Sequence, residues 1–265
     1  MQILPFDNRD GFIWLNGKFI KWRDANIHVL NHGLHYASCV FEGLRIYNGR
    51  IFKLDEHIER LFNSAKILDL DIPYDYEKVV KIAKEIIVKQ NVSNGYVRPV
   101  VWRGSEMMAI SAKKGSTNLA IAAWEWPSYF SPDKLLEGIK LNVSKWLRPS
   151  PESAPTDSKA AGLYMICSLS KHEAEKLGFD DALMLDYRGY VAEATGANIF
   201  FVKDNELFTP IADCFLNGIT RQTVIEIAKE KKIKTHEKHL KLDFLKTCDE
   251  VFLTGTAVEI TPVSS

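Results

Sequence analysis

Residues 158–201 read SKAAGLYMICSLSKHEAEKLGFDDALMLDYRGYVAEATGANIFF. Small and apolar residues recur at helical spacing through AAGLYMICSLSKHEAEKLG, after which the pattern shortens to the strand-like runs DALMLD, YVAEA and NIFFV. A helix feeding directly into strands predicts a mixed α/β chain. The alternation continues in ELFTP, in a helix from GITRQTVIEIAKEKK, and in a last strand group of EVFLTG and VEITPV. On the N-terminal side, KLNVSKWL leads into the polar stretch RPSPESAPTDS, and Lys159 sits where that stretch meets the helix.

Further upstream, GFIWLNGKFIKW places two short β-type runs around Asn16-Gly17, and VFEGLRIY with RIFKL does the same around Asn48-Gly49. Two hairpins are expected there. In DEHIERLFNSAKILDL, Ile58, Leu61, Phe62, Ala65 and Leu68 fall at helical spacing behind Asp55, the expected N-cap, and YEKVVKIAKEIIVKQ repeats the period. YVRPVVWRG and NLAIAAWEW return to strand character, with Pro99 pointing to an edge or bulge. Pro127 and Pro132 punctuate a longer connection, so the expected division is a small α+β domain over 1–126, a linker at 127–133 and a second domain over 134–265.

At 265 residues, with 46% hydrophobic and 26% charged residues, the chain has the composition of a globular protein of one large or two modest domains. Lys+Arg and Asp+Glu are 34 each, which leaves no cationic excess for a nucleic acid or an anionic membrane surface. Four scattered cysteines form no C-x-x-C pair and suit a reducing cytoplasm. MQILPFDNRDGF lacks the pattern of an export signal, and no apolar run is long enough for a membrane helix.

His28, His32 and His35 would share one face of a helix, but Gly33 interrupts it and no H-E-x-x-H frame is present, so structural histidines are favoured over a metal site. Gly218-Ile219-Thr220-Arg221 before an amphipathic helix, and the loop Leu253-Thr254-Gly255-Thr256-Ala257, suit anion binding through main-chain amides. Taken singly, each is more often an ordinary capped turn. Dinucleotide and Walker fingerprints are absent. Lys159 has small neighbours; if buried, its amine would lose protons easily and could form a Schiff base. Glu193 is either an exposed edge carboxylate or a buried partner for a ring nitrogen, and the residues alone leave both open.

Seven stretches, HGLHYASCVFEGLRIY, EHIERL, YVRPVVWRG, SKAAGLY, VAEATGANIFF, NGITR and TGTAVEITPV, occur in this order. Together they resemble the bacterial branched-chain amino-acid aminotransferases, class IV (fold type IV) pyridoxal-phosphate enzymes, over roughly residues 11 to 262. The resemblance implies a two-domain, D-amino-acid-aminotransferase-like fold of mixed α/β class with a larger C-terminal pseudo-barrel domain. It implies a Schiff base between Lys159 and pyridoxal 5′-phosphate, with Glu193 on the pyridine nitrogen and Tyr164 on the ring oxygen. Arg60, Ile219, Thr220 and Thr256, with Gly218 at the helix start, correspond to the phosphate cup.

On the substrate side, Tyr96 and the amides of Thr256 and Ala257 match groups that hold the α-carboxylate, and Arg98 matches the receiver of a glutamate side chain. Phe41, Trp126 and Tyr129 correspond to an apolar wall for Leu, Ile and Val. Tyr36 resembles the residue donated across a dimer interface. The implied activity is ping-pong transamination between branched-chain L-amino acids and 2-oxoglutarate in a cytoplasmic homodimer or dimer-based hexamer, without metal. A D-amino-acid aminotransferase, an aminodeoxychorismate lyase or an impaired homologue would share the lysine, glutamate and phosphate motifs. Two departures stand out: SEMMAISAKKGST lacks the family's Gly-Val-Asn-Pro element, leaving Met107 and Met108 as candidates to close a partner's pocket, and Ser265 falls where family members continue through another strand and a helix.

Overall fold

The structure, a computed structural model, describes residues 4–265; the stretch read for an export signal begins at Met1, outside the described residues. The chain divides into two compact units. One holds the residues up to Pro127 together with Ser158–Gly162, and the other holds Ser128–Asp157 and Leu163–Ser265.

In the first unit the elements run β1 (Phe12–Leu15), β2 (Lys18–Lys21), α1 (His32–Tyr36), β3 (Cys39–Phe41), β4 (Leu44–Tyr47), β5 (Arg50–Ile51), α2 (Leu54–Ile67), α3 (Tyr76–Lys89), β6 (Gly95–Arg103) and β7 (Thr117–Glu125). The seven strands form one antiparallel sheet in the order β2-β1-β7-β6-β4-β5, with β3 also on β6. Both expected hairpins are present. Asn16 and Gly17, and Asn48 and Gly49, all have positive φ, as a tight turn matched to strand twist requires.

Strand alternation assigns the two faces of this sheet. Trp14, Val40, Val97, Val101, Leu119 and Ile121 pack with Ile58 and Leu61 of α2 and Ile82 and Ile86 of α3 in one buried cluster. The residues of opposite parity, among them Ile13, Leu15, Val100, Trp102 and Ala120, line a cavity of about 560 Å³ on the other face. Two local expectations change. Lys53, in the left-handed region with φ 51°, is the N-cap of α2, so Asp55 lies in the first turn, where its charge faces the helix N-terminus. Pro99 stands in the middle of a central strand: the neighbouring chain breaks between β3 and β4 at Glu42-Gly43, so the missing N–H of Pro99 leaves no ladder partner wanting, while its carbonyl accepts from Glu42 N at 2.9 Å.

The second unit contains α4 (Pro132–Glu137), β8 (Leu141–Val143), α5 (Tyr164–Lys176), β9 (Asp181–Leu185), β10 (Val191–Ala194), β11 (Asn198–Lys203), β12 (Glu206–Pro210), α6 (Ile219–Glu230), β13 (Thr235–Lys238), β14 (Glu250–Gly255) and β15 (Glu259–Pro262). A three-stranded sheet, β10-β9-β8, accompanies a five-stranded one, β13-β12-β11-β14-β15. Ile139, Leu183, Ile199, Phe201 and Leu253 form the centre of its core. Among the described residues no helix is long and apolar enough to cross a membrane.

Leu61 is fully buried at the centre of the first cluster. Leu61→Ala is expected to cost about 2–5 kcal/mol through lost transfer energy and a residual cavity, measured by urea unfolding.

Candidate active site

In the first unit, the Lys159 segment is held by main-chain and hydroxyl groups. Ser158 Oγ donates to Ser64 O at 3.1 Å, Lys159 N donates to Ser64 Oγ at 3.0 Å, and Phe41 N donates to Lys159 O at 3.2 Å. Ser64 is a fully buried residue of α2, so that helix and strand β3 together fix the lysine's backbone. The Lys159 side chain is half-buried, with Nζ 5.1 Å from the centre of the Phe41 ring. Burial, then the charges of Arg60 and Arg98, push the amine down to about 8 against the opposing pull of Glu42 and Tyr96.

Beside it lies a sealed ion cluster. Glu42, fully buried at the strand break, accepts from Arg60 Nε at 2.6 Å on Oε1, and from Arg60 Nη2 at 3.0 Å and His57 Nδ1 at 2.7 Å on Oε2. Burial pushes this carboxyl up, but Arg60 and His57 outweigh it and hold it well below the usual carboxylate range. Burial also pushes His57 down, as do Arg60 and Lys159, against Glu42; the imidazole is therefore neutral, donating from Nδ1. At the same break Gly43 is obligatory, because a Cβ there would collide with the Tyr96 hydroxyl.

Phe41, Tyr96 and Arg98 project from the sheet face opposite α2 and α3. The Arg98 guanidinium lies 4.7 Å from the Phe41 ring and 5.4 Å from the Tyr96 ring, and Tyr96 meets Trp126 edge-on at 4.6 Å. Arg98 Nε is buried without a hydrogen-bond partner among the described residues, which suits it to receive an anion. Tyr36, exposed, donates to Met108 O at 3.0 Å, and His32 Nε2 lies 3.1 Å from Ala109 O; the two fix the 105–116 loop of their own chain. The three histidines have separate local partners: His28 Nδ1 accepts from Leu30 N, His35 Nε2 bonds Val29 O, and His32 also meets Ser38 Oγ. Among the described residues the metal-type grouping is Asp186, Asp213 and Cys214, whose two carboxylates are bridged by Arg188.

In the second unit, Glu193 on β10 is buried, with Oε1 at 3.4 Å from Arg148 Nε and Oε2 accepting from Asn198 Nδ2 at 3.2 Å. Arg148 also donates to Cys167 Sγ at 3.3 Å; burial pushes the guanidinium down, and Glu193, Cys167 and Tyr164, the first residue of α5, outweigh it. Asn198 spans two features, since its Oδ1 accepts from Gly218 N at 3.1 Å. Gly218 is the N-cap of α6 and provides no side-chain cap, so the amides of Ile219 and Thr220 start the helix without one, a terminus of the kind that suits an anion. Asn198 also pairs in register with Thr254 at the end of β14, which brings the loop with Thr256 and Ala257 into the same sheet environment. Arg221, from the same motif, turns away: it is 1% exposed and donates to Pro210 O and Asn217 Oδ1. Tyr129 is exposed and meets Phe130 edge-on at 5.0 Å.

Sequence reading singled out Lys159, Glu193 and the α6 start but assigned nothing to Glu42, His57, Arg148 or Asn198. Glu42, His57 and Asn198 lie within the motif stretches, whereas Arg148, in WLRPSP, carries no pattern that marks it. The first unit offers a poised amine and two cations, and the second a buried carboxylate and an open helix terminus. Taken by itself, the first set suits an electrophilic carbon and an anion, and the second a basic ring and an anion.

Known proteins are similar to this chain over nearly its whole length. The amino-transferase class IV family pattern matches residues 39–265. A Rickettsia felis protein named a probable branched-chain-amino-acid aminotransferase is 49% identical over 100% of this chain and 90% of its own length. The T.th. branched-chain amino acid aminotransferase crystallised with pyridoxamine 5′-phosphate is 39% identical with a TM-score of 0.93, covering 97% of this chain and 86% of that one. The same T.th. enzyme complexed with N-(5′-phosphopyridoxyl)-L-glutamate is 38% identical with a TM-score of 0.91, covering 97% and 85%.

Competitive reductive methylation across a pH series is expected to show Lys159 titrating near 8. A midpoint at the ordinary lysine value, about 10.4, would remove the desolvated amine from the site.

Proposed function

Because the chain belongs to the class IV amino-transferases, whose cofactor is pyridoxal 5′-phosphate, we propose that it is a branched-chain amino-acid aminotransferase exchanging the amino group of Leu, Ile or Val with 2-oxoglutarate. The observation that carries this reading is the Lys159 amine, half-buried against the Phe41 ring with its backbone held by Ser64 of α2, near the Glu42–Arg60 pair. By residue type we assign Lys159 to its aldehyde, Glu193 to its ring nitrogen, Tyr164 to its ring oxygen, and Arg60, Gly218, Ile219, Thr220 and Thr256 to its phosphate. When bound, pyridoxal phosphate supplies an electrophilic carbon and a ring that withdraws electrons from the substrate Cα.

The chain's own groups do the rest. An amine near 8 holds about 200-fold more free base at neutral pH than an ordinary lysine, so Lys159 can act as nucleophile and then as the base that takes the Cα proton and returns it at C4′. Glu193, with Arg148 and Asn198 on its two oxygens, is fixed in place as the partner for the ring nitrogen. Tyr96 and the Thr256 and Ala257 amides orient the α-carboxylate. Phe41, Trp126 and Tyr129 favour aliphatic side chains by desolvation, and Arg98 accepts the second carboxylate of glutamate. The exchange runs as two half-reactions: one amino acid leaves as its 2-oxo acid before a second 2-oxo acid takes the amino group. The glutamate adduct of the T.th. relative supports glutamate as one of the pair.

The face of the first unit's sheet opposite α2 and α3 supports the homodimer reading. Ile27, Val29, Leu30 and Leu34 are each at least half exposed around the 560 Å³ cavity, an apolar surface that a second copy would cover, with Tyr36 at its margin. All four cysteines are unpaired thiols, which supports a cytoplasmic setting.

Lys159→Ala is expected to abolish both the visible absorption of the bound cofactor and glutamate formation from L-leucine and 2-oxoglutarate; turnover of D-alanine but not L-leucine by the wild-type protein would transfer the assignment to a D-amino-acid enzyme of the same fold. Leu34→Asp is expected to shift the protein toward monomer in sedimentation velocity, and an unchanged dimer would move the interface elsewhere.

A further inference from the structure

Arg60 is the cation expected to meet the cofactor phosphate, yet its geometry is set from behind. The guanidinium is planar with five N–H vectors, and the edge formed by Nε and Nη2 is committed to the two oxygens of Glu42 at 2.6 and 3.0 Å. The plane of the guanidinium, and the direction of its other edge, are thereby set by Glu42. Glu42 in turn cannot rotate. It is fully buried, its Oε2 also accepts from His57 Nδ1 at 2.7 Å and from Gly43 N at 3.1 Å, and His57 is 1% exposed. We propose that Glu42, locked by His57, is the positioning residue that fixes which edge of Arg60 is presented to the phosphate of the cofactor.

The inference rests on the aminotransferase reading and adds a residue to it. Because the buried anion already pairs one edge of Arg60, the site gains orientation: a swinging guanidinium would lose rotamer entropy on meeting the phosphate, and this one is pre-set. His57 is the second component. Its Nδ1–H orients the carboxylate, while its Nε2 is buried with no hydrogen-bond partner among the described residues, so the ring has one orienting contact and that contact is Glu42.

The test compares the apo protein's affinity for pyridoxal 5′-phosphate with its affinity for pyridoxal, which lacks the phosphate. Glu42→Gln keeps the shape and removes the charge; it is expected to weaken pyridoxal 5′-phosphate binding about 10- to 100-fold while pyridoxal binding changes less than about twofold. In an Arg60→Met background the same substitution is expected to have no further effect on the phosphate-dependent part. Equal loss for both ligands, or full additivity with Arg60→Met, would reduce Glu42 to a structural residue and overturn the proposal. Should Glu42→Gln fail to fold, His57→Gln is read the same way, with a smaller phosphate-selective loss expected and an unchanged ratio decisive against the idea. A wild-type protein that binds neither ligand through Lys159 would instead overturn the aminotransferase reading itself.

Discussion

A carboxylate with no access to water constrains the whole first unit. Glu42 has no exposed surface, so its charge must be answered by protein donors, and an isolated ion in that position would cost several kcal/mol. Arg60 and His57 answer it from one helix, one turn apart, which fixes the rotation of α2 about its axis. The same helix, one turn further on, carries Ser64, whose hydroxyl and carbonyl hold Ser158 and Lys159. The placement of the reactive lysine thus descends from a charge that the strand break at Glu42-Gly43 made room for.

The lysine's chemistry follows from two opposed fields. Desolvation and two neighbouring guanidinium groups favour its neutral form, while Glu42 restrains the shift. Without that restraint the amine would lie still lower and be a weaker base; without the arginines it would lie higher. Aminotransferase chemistry asks one group to be both nucleophile and proton carrier, and a value near ambient pH serves both.

Much of this was legible in the chain. The Asn-Gly pairs at 16–17 and 48–49 announced hairpins because few other dipeptides accept two positive φ angles, and the apolar periods of α2 and α3 announced the helices. Lys159, Glu193 and the Gly218 helix start were visible through residue type and motif order. Other features depend on pairing across long separations and leave no local trace. Pro99 looked like an edge residue because nothing nearby in sequence reveals that the strand beside it is interrupted, and Asp55 looked like a cap because the left-handed Lys53 that starts the helix is an uncommon choice. Arg148 reads as one more exposed arginine until β9, α5 and Glu193 surround it.

Asn198 has a consequence of its own. A single short side-chain amide links the Glu193 carboxylate to the N-cap amide of α6. The carboxylate and the start of α6 are therefore spaced by one short covalent frame, and neither can shift without the other. Gln at this position, longer by a methylene, could not keep both hydrogen bonds at their present spacing.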